Sequence, residues 1–256
     1  MTVPQFPDKH DHDPITGPDD DLAYYRDLNG AFDALPEAVI LTYSESTFER
    51  AVAEAGAEDG ALDAPGMASL HVLAGTDGRV AVAGGFGIGA PATAMVVDVL
   101  ATAGVETVCI VGYAGALTTD LDAETAVVAD GALRDEGTSH HYLPDGEPAE
   151  ATPAVTDALE AECEAAGRPA TVGPTWSTDA AFRETAFEAR RLAERGYLTV
   201  EMEAAALFTV AAVRGIDAGA VFAISDYVTP EGWDRQFHEA ADRLYDLVPI
   251  ARDALG

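Results

Sequence analysis

Two segments of the chain place carboxylates where they could do chemistry. Val200–Phe208 opens a helical pattern with Glu201 and Glu203, and Val221–Asp226 is an apolar strand that ends in an acid. Ligands of α/β sheets bind outside the carboxyl ends of the strands. Partial desolvation there favours the protonated form of a carboxyl group, so Asp226 could give a proton to a leaving group. The alternative for the helix acids is structural, because negative charge stabilises a helix N-terminus.

Two glycine-rich stretches each follow a predicted strand. Gly84–Pro91 leads into a helix, so backbone N–H groups such as that of Gly87 could face an anion or a sugar. A dinucleotide-binding loop would require an acidic residue about 20 residues further on, at the tip of the next strand. That strand instead ends in Val111–Leu117, which we predict to be a second glycine turn. The two glycine-rich stretches indicate either a ligand that lies between them and approaches the backbone of both, or tight turns that serve only packing.

These residues must be positioned by elements in which apolar runs alternate with helical patterns, as is typical of an α/β fold. A hairpin turn at 75–78 makes one strand pair antiparallel, so we predict a mixed central sheet flanked by helices in a three-layer arrangement. The predicted strands are Ala38–Thr42, Ser69–Gly75, Arg79–Gly84, Thr107–Gly112, Thr125–Asp130, Ala170–Gly173 and Ala218–Ile224. The predicted helices are Ala92–Ala103, Thr152–Ala166, Ala180–Arg195, Met202–Arg214 and Arg235–Ala254.

The length of 256 residues fits one domain, predicted over residues 21–256. Residues 1–20 are rich in Asp, His and Pro and are predicted to be a flexible acidic tail; a metal site formed by His10–Asp13 is the alternative. This segment lacks the pattern of a secretion signal and no window has the roughly 18 apolar residues of a membrane span. We therefore expect a cytoplasmic protein.

The charge is strongly negative, with 45 acidic and 14 basic residues and a formal net charge of −31. Such a chain would repel nucleic acid and anionic membranes. The acids are spread along the whole sequence and Lys9 is its single lysine, which indicates adaptation to high salt, where the Debye length is about 3 Å. The two cysteines, Cys109 and Cys163, are predicted to be buried thiols.

Taken together, the motifs resemble those of the nucleoside phosphorylase and nucleosidase superfamily. Glu201–Leu207 with Ser225 and Asp226 downstream is similar to the hallmark of purine nucleoside phosphorylases, uridine phosphorylases, and methylthioadenosine and AMP nucleosidases. Gly85–Pro91 resembles that family's Gly-x-Gly-x-x-Pro turn. The turn that matches its base-and-sugar contacts consists of Tyr113, Ala114 and Gly115.

A narrower resemblance is to prokaryotic proteins named uridine or nucleoside phosphorylases, carried by Glu136–Tyr142 and Trp176–Thr185. It implies that Glu203 holds the ribose 2′- and 3′-hydroxyls, with Met202 beside the sugar. It also implies that Asp226 serves the base, while Phe182 and Arg183 line the base side. Arg183 has an alternative as a surface helix arginine. Further residues that the resemblance assigns to substrate binding are Glu201, Gly87, Thr178 and Ser225.

The chain departs from the family pattern where phosphate is bound. Phosphorylases of the family carry a Gly-Asp-Pro-x-Arg turn after the first strand and an arginine before the second glycine turn. Here the first position reads Thr42–Thr47 and the second is Ile110. Neutral groups replace bidentate phosphate contacts poorly. The residues left to hold phosphate, or to activate water, are Ser44, Glu45 and Thr47, with the Gly87 amide or an arginine of another subunit.

We therefore predict a nucleoside phosphorylase that cleaves uridine or a purine nucleoside with phosphate, without a metal or an organic cofactor. Hydrolysis by a nucleosidase and ligand binding by a non-catalytic nucleoside sensor are the alternatives. Ser225 and Asp226 resemble the purine-cleaving members, whereas Phe182 and Arg183 resemble the uracil-reading side of uridine phosphorylases. The resemblance also implies a homo-oligomer, either a dimer or a hexamer built as a trimer of dimers.

Overall fold

A mixed sheet of eleven strands organises the part of the chain that the computed structural model describes, residues 6–29, 34–55, 61–62 and 68–256. The predicted mixed sheet flanked by helices is confirmed. The strands are β1 Ala38–Leu41, β2 Ala61–Leu62, β3 Ser69–Val72, β4 Val80–Gly84, β5 Thr107–Ala116, β6 Ala126–Asp135, β7 Ala149–Glu150, β8 Ala170–Thr178, β9 Thr199–Glu201, β10 Asp217–Thr229 and β11 Gly232–Arg235.

The strand order is β11-β10-β6-β8-β9-β5-β1-β4-β3-β2, and β7 pairs with β6. Because β10 also pairs with β5, the strands β10, β6, β8, β9 and β5 close into a ring. The predicted hairpin is confirmed, since β3 and β4 are antiparallel with Leu70 opposite Ala83. β1 lies parallel to both β4 and β5, which places the carboxyl ends of these strands at one edge.

Helices cover both faces of the sheet. One buried apolar cluster contains Leu207 and Phe208, and a second contains Leu159 and Leu244 on the other face. The helix termini follow local chemistry: Pro91 stands in the first turn of α3, and Gly215, with φ 71°, ends α6. The helices are α1 Pro18–Asn29, α2 Glu45–Ala55, α3 Ala90–Thr102, α4 Pro153–Ala165, α5 Ala186–Ala193, α6 Ala204–Arg214, α7 Phe237–Tyr245 and α8 Leu247–Leu255, with 3-10 turns at Pro7–Asp11 and Ser139–His141.

The second glycine turn was predicted wrongly, because β5 runs straight through it. Residues 107–116 pair with β10 over almost their whole length. Gly115 serves close packing: a Cβ atom there would lie 2.8 Å from Cγ2 of Val228 and 3.3 Å from Oδ2 of Asp226. Tyr113 and Ala114 are therefore strand residues rather than turn residues.

Two helix predictions also need correction. The helix predicted over Ala180–Arg195 begins only at Ala186, because the Thr185 side chain accepts from the Glu188 N–H in a capping box that fixes the start. Phe182 and Arg183 consequently lie in the preceding loop. The last predicted helix is divided at Asp246 into α7 and α8. Pro249, in the first turn of α8, has no N–H to continue the α7 ladder.

The N-terminal segment packs on a loop of the main body. Lys9 Nζ lies 2.8 Å from Nδ1 of His141, and His10 Nε2 lies 3.0 Å from the carbonyl oxygen of His140. The domain boundary predicted at residue 20 falls inside α1. The flexibility of this segment stays a prediction. Among the described residues, no helix is long and apolar enough to cross a bilayer.

Candidate active site

The N-terminus of α6 is held by buried side chains. Oε2 of Glu201 accepts hydrogen bonds of 2.7 Å from the backbone N–H groups of Glu203 and Ala204, and Ser177 Oγ accepts from that of Ala205 at 2.9 Å. The Ser177 hydroxyl also contacts Oε1 of Glu201. Both oxygens of Glu201 are thus engaged inside the protein, which satisfies the helix N–H groups that would otherwise lack partners. These contacts agree with the structural alternative, in which Glu201 stabilises the N-terminus of the helix.

Glu203 joins the start of α6 to the glycine-rich turn before α3. Its Oε1 accepts from the Gly89 N–H at 2.7 Å, and its Oε2 accepts from the Met202 N–H at 3.2 Å. The turn adopts this shape because Gly85, Gly87 and Gly89 have φ angles of 77°, 95° and 87°, a region that side chains rarely enter. Met202 is half-buried beside Glu203, and Gly87 is exposed.

Burial changes the acid–base properties of this region. It raises the pKa values of both Glu201 and Glu203, and the two negative charges lie close enough for Glu203 to raise that of Glu201 further. The Tyr43 hydroxyl lies 2.7 Å from Thr93 Oγ1, and burial, reinforced by the charge of Glu203, raises the pKa of Tyr43. Protonated and ionised carboxyls can therefore coexist near neutral pH beside a neutral phenol.

Asp226 is buried in β10 and oriented by two donors. Ser225 Oγ donates to Oδ1 at 2.6 Å, and Trp233 Nε1, on the adjacent strand β11, donates to Oδ2 at 2.6 Å. The register of β10 on β5 shifts between Ile224 and Asp226, so Ser225 forms a bulge that turns Asp226 toward Gly115.

The two predicted acid-bearing segments lie on either side of β5, since Asp226 belongs to β10 and Glu201 ends β9. Gly115 of β5 is opposite Asp226 of β10 on one side and opposite Val200 of β9 on the other. Two strand spacings amount to about 10 Å. Glu203 follows Val200 by three residues. Gly115 is thus paired both with Asp226 and with Val200, which leads into Glu203 at the start of α6.

The loop between β8 and α5 carries the predicted base-side residues. Phe182 is 89% exposed, Arg183 is exposed, and Thr178 is buried at the end of β8 with its Oγ1 accepting from the Ala180 N–H. Glu184 is half-buried, and burial, aided by the charges of Asp226 and Glu188, raises its pKa to about 7. The lining of a cleft of about 350 Å³ here includes Phe182, Glu184, Val228 and Trp233.

The predicted phosphate or water side lies at the start of α2. Ser44 Oγ accepts from the Thr47 hydroxyl at 2.9 Å and from the Thr47 N–H at 3.3 Å, so it caps the helix. Glu45 is exposed in the first turn. Ile110, which stands where the resembled phosphorylases have an arginine, is fully buried in the apolar core.

The two loops of the narrower resemblance meet in space. The Gly137 N–H donates to Oδ2 of Asp179 at 2.8 Å, and the indole Nε1 of Trp176 donates to Oδ2 of Asp135 at 2.9 Å. Contacts across 42 and 41 residues of sequence thus bring these segments together at the carboxyl ends of β6 and β8.

Three residues with contacts to other elements were not singled out from the sequence: Trp233, Glu184 and Arg243. Trp233 and Arg243 come from the C-terminal region, where no local pattern announces their contacts. Glu184 lies within Trp176–Thr185, a segment of the narrower family resemblance, but the resemblance implies no role for this acid. No group of three potential metal-ligating side chains occurs in the ranges that the structure describes.

A sequence model described as "Phosphorylase superfamily" matches residues 38–249, from β1 into α8. The chain belongs to the Phosphorylase superfamily. The match includes every predicted site residue. The superfamily assignment therefore concerns the same part of the chain as Glu201, Glu203 and Asp226.

Within the Phosphorylase superfamily the chain is similar to proteins with three different names. It is 36% identical over 135 residues to a guanosine phosphorylase of Halorubrum lacusprofundi, covering 53% of this chain and 56% of that protein. It is 31% identical over 159 residues to a uridine phosphorylase of Klebsiella aerogenes, covering 57% and 63%. It is 31% identical over 179 residues to a DeoD-type purine nucleoside phosphorylase of Bacillus cereus, covering 69% and 75%. The first two matches thus span less than two thirds of those relatives.

The fold is also similar to that of a solved phosphorylase. A crystal structure of uridine phosphorylase from Vibrio fischeri ES114 superposes with a TM-score of 0.72 and 25% sequence identity, covering 86% of this chain and 91% of that one. This confirms the predicted fold class. The relatives' names agree on nucleoside phosphorylase chemistry and differ in the base.

Proposed function

We propose that this protein is a nucleoside phosphorylase, which cleaves the N-glycosidic bond of a nucleoside with phosphate and gives a free base and ribose 1-phosphate. The observation that carries the proposal is that Asp226 of β10 and Val200 of β9, three residues before Glu203, both pair with Gly115 of β5. The bond between C1′ and the base nitrogen breaks while a phosphate oxygen bonds to C1′, through a state in which the sugar carries positive charge. That charge is stabilised by a nearby carboxylate, and the departing base requires a proton or a hydrogen bond.

In this proposal Glu203 accepts the ribose 2′- and 3′-hydroxyls and Met202 packs beside the sugar. Each Glu203 oxygen accepts one backbone N–H and retains a second lone pair, which leaves room for a ribose hydroxyl. Glu201 acts as a positioning residue, because its oxygens hold the N-terminus of α6. Ser225 and Trp233 orient Asp226 toward the base.

For the base we propose a purine, with uridine as the alternative. A purine leaves most readily when a ring nitrogen receives a proton, and Asp226 is an acid in position to supply or share one. Glu184 adds a second carboxyl on the same side, in the cleft with Phe182 and Trp233. A carboxylate accepts N–H donors of a purine edge, and the aromatic rings offer stacking surfaces.

Hydrolysis is the second candidate, because Ile110 is buried and apolar where an arginine would grip phosphate. Glu45, exposed at the start of α2, would then be the acid that activates water. A non-catalytic nucleoside sensor is the third.

The decisive experiment incubates the protein in molar salt with guanosine, inosine, adenosine, methylthioadenosine or uridine, with and without phosphate, and measures the free base. Release that depends on phosphate supports the proposal and ranks the bases. Release without phosphate supports a nucleosidase, and binding without release supports a sensor. Because the family resemblance implies a dimer or a hexamer, light scattering in the same buffer tests the proposed homo-oligomer.

A further inference from the structure

Arg243 on α7 is a buried cation with unpaired donors. The residue is 7% exposed, and its Nη1 lies 3.3 Å from Oε1 of Glu124, whose side chain is 63% exposed. Its Nε and Nη2 atoms are buried and have no hydrogen-bond partner within the part of the chain that the structure describes. Buried N–H groups of a charged side chain are unfavourable unless something accepts their hydrogen bonds. The unpaired donors Nε and Nη2 therefore indicate a hydrogen-bond acceptor that comes from outside the chain.

Arg243 lies near Tyr113, and its helix α7 packs against α2, which is capped by Ser44 of the predicted phosphate side. Burial raises the pKa of Tyr113, while a hydrogen bond with Ser44 and the positive charge of Arg243 act in the opposite direction. Ser44 caps α2 in the short connection that follows β1, and α7 packs against β5 and β10. The guanidinium, the phenol and the serine hydroxyl thus lie near one another beyond the carboxyl end of β1, where β5 and β10 run side by side.

We propose that Arg243 supplies the phosphate-binding cation that the first-strand turn and position 110 do not supply. Nε and Nη2 would donate to two oxygens of one phosphate, the bidentate geometry for which a guanidinium is suited. The hydroxyls of Ser44 and Tyr113 would donate to the remaining oxygens. This inference rests on the proposed phosphorolysis for its role in the reaction, but the anion site itself can be tested without a nucleoside.

Arg168 offers a matched control. Its side chain is 11% exposed, it pairs with one carboxylate, Asp246, at 3.8 Å, and its Nε and Nη2 also lack partners among the described residues. It differs in its surroundings, because the cleft that it lines includes the acids Asp157, Glu160 and Glu164. Three carboxylates repel phosphate, so this arginine is not expected to bind it.

The test measures thermal unfolding without nucleoside in molar sodium chloride, with and without inorganic phosphate, for the wild type, Arg243→Met, Arg243→Lys and Arg168→Met. Phosphate binding to the folded state raises the Tm. We expect the rise for the wild type and Arg168→Met, its loss in Arg243→Met and a smaller rise in Arg243→Lys. In steady-state assays, Arg243→Met should raise the KM for phosphate about 10- to 100-fold, with little change in the KM for the nucleoside.

The outcomes separate this inference from the proposed function. If phosphate stabilises the wild type through Arg243 but the base is released without phosphate, the anion site is retained and phosphorolysis is contradicted. A phosphorolytic wild type with an unchanged phosphate KM in Arg243→Met would overturn the inference alone. The same holds if Arg243→Met lowers the Tm yet keeps the full phosphate-dependent rise, since the arginine would then be purely structural. If Arg243→Met does not fold, an unchanged phosphate KM in Arg243→Lys overturns the inference.

Discussion

Oε1 of Glu203 accepts a 2.7 Å hydrogen bond from the backbone N–H of Gly89, across 114 residues of sequence. The contact joins the N-terminus of α6 to that of α3, so two helix ends and one carboxylate share a small volume. Gly89 can present its N–H in this direction because it adopts a φ of 87°. An acid held in this way needs little reorganisation when a sugar hydroxyl arrives.

Replacing Glu203 with glutamine should reduce kcat/KM for the best nucleoside by about 100-fold or more, because in the proposed mechanism the carboxylate charge stabilises the sugar in the transition state. The Gly89 N–H can still donate to the amide oxygen, so the Tm should change little. Glu194→Gln, on an exposed acid at the end of α5, is the control. Activity retained in Glu203→Gln would remove this residue from the site.

The hydrogen bond from Trp233 to Asp226 predicts a role for a residue outside the sequence motifs. Trp233→Phe keeps an aromatic ring and removes the N–H that donates to Oδ2. The carboxylate then loses one of its two orienting donors, and we expect kcat to fall about tenfold. Asp226→Asn should reduce kcat further. If Trp233→Phe lowers kcat by the same factor in the Asp226→Asn variant as in the wild type, the indole does not act through Asp226.

Gly115 should tolerate no side chain. In Gly115→Ala the new Cβ would lie 2.8 Å from Val228 and 3.3 Å from Oδ2 of Asp226, so the β10 side chains must move. A displacement of this size at a reacting group lowers kcat about 10- to 100-fold. Gly146→Ala, in a loop where a Cβ meets nothing within 4 Å, controls for glycine loss although its φ is positive. Normal kinetics of Gly115→Ala would contradict the proposed position of Asp226.

The buried acids predict a pH dependence of stability. Burial raises the pKa values of Glu201 and Glu203 above the ordinary value of 4.5, so the folded state binds protons that the unfolded state releases. Their contribution is present below about pH 4.5 and is lost as pH rises through the raised values. At constant salt, the Tm of the wild type should therefore fall as the pH rises from 5 to 8. This fall should be smaller in Glu201→Gln, which lacks one of the two buried acids.

Each kcal/mol of this difference corresponds to about 2–4 °C in the Tm of a protein of this size. The remaining surface carboxylates contribute similarly to both proteins, so the comparison isolates the buried pair. Equal Tm losses in the wild type and in Glu201→Gln would show that Glu201 does not bind the extra proton.

The sequence by itself determined the α/β class, the hairpin before β4 and the position of Asp226 near the end of a buried strand. These features depend on local patterns: alternating apolar runs, turn glycines and an acid that follows an apolar run. The start of α5 could also have been predicted, since Thr185 and Glu188 have the spacing of a capping box. Family membership followed from motifs whose residue types are fixed by chemistry.

Only the tertiary structure decided which partners these residues have. Gly115 looks like a turn glycine in sequence, yet it is required because Val228 and Asp226 pack against it from another strand. Trp233 reaches Asp226 through β11, and Arg243 reaches β5 and β10 through α7, elements whose placement depends on long-range pairing and burial. Spacing along the chain carries no information about such contacts, because they arise only when the ring of strands closes.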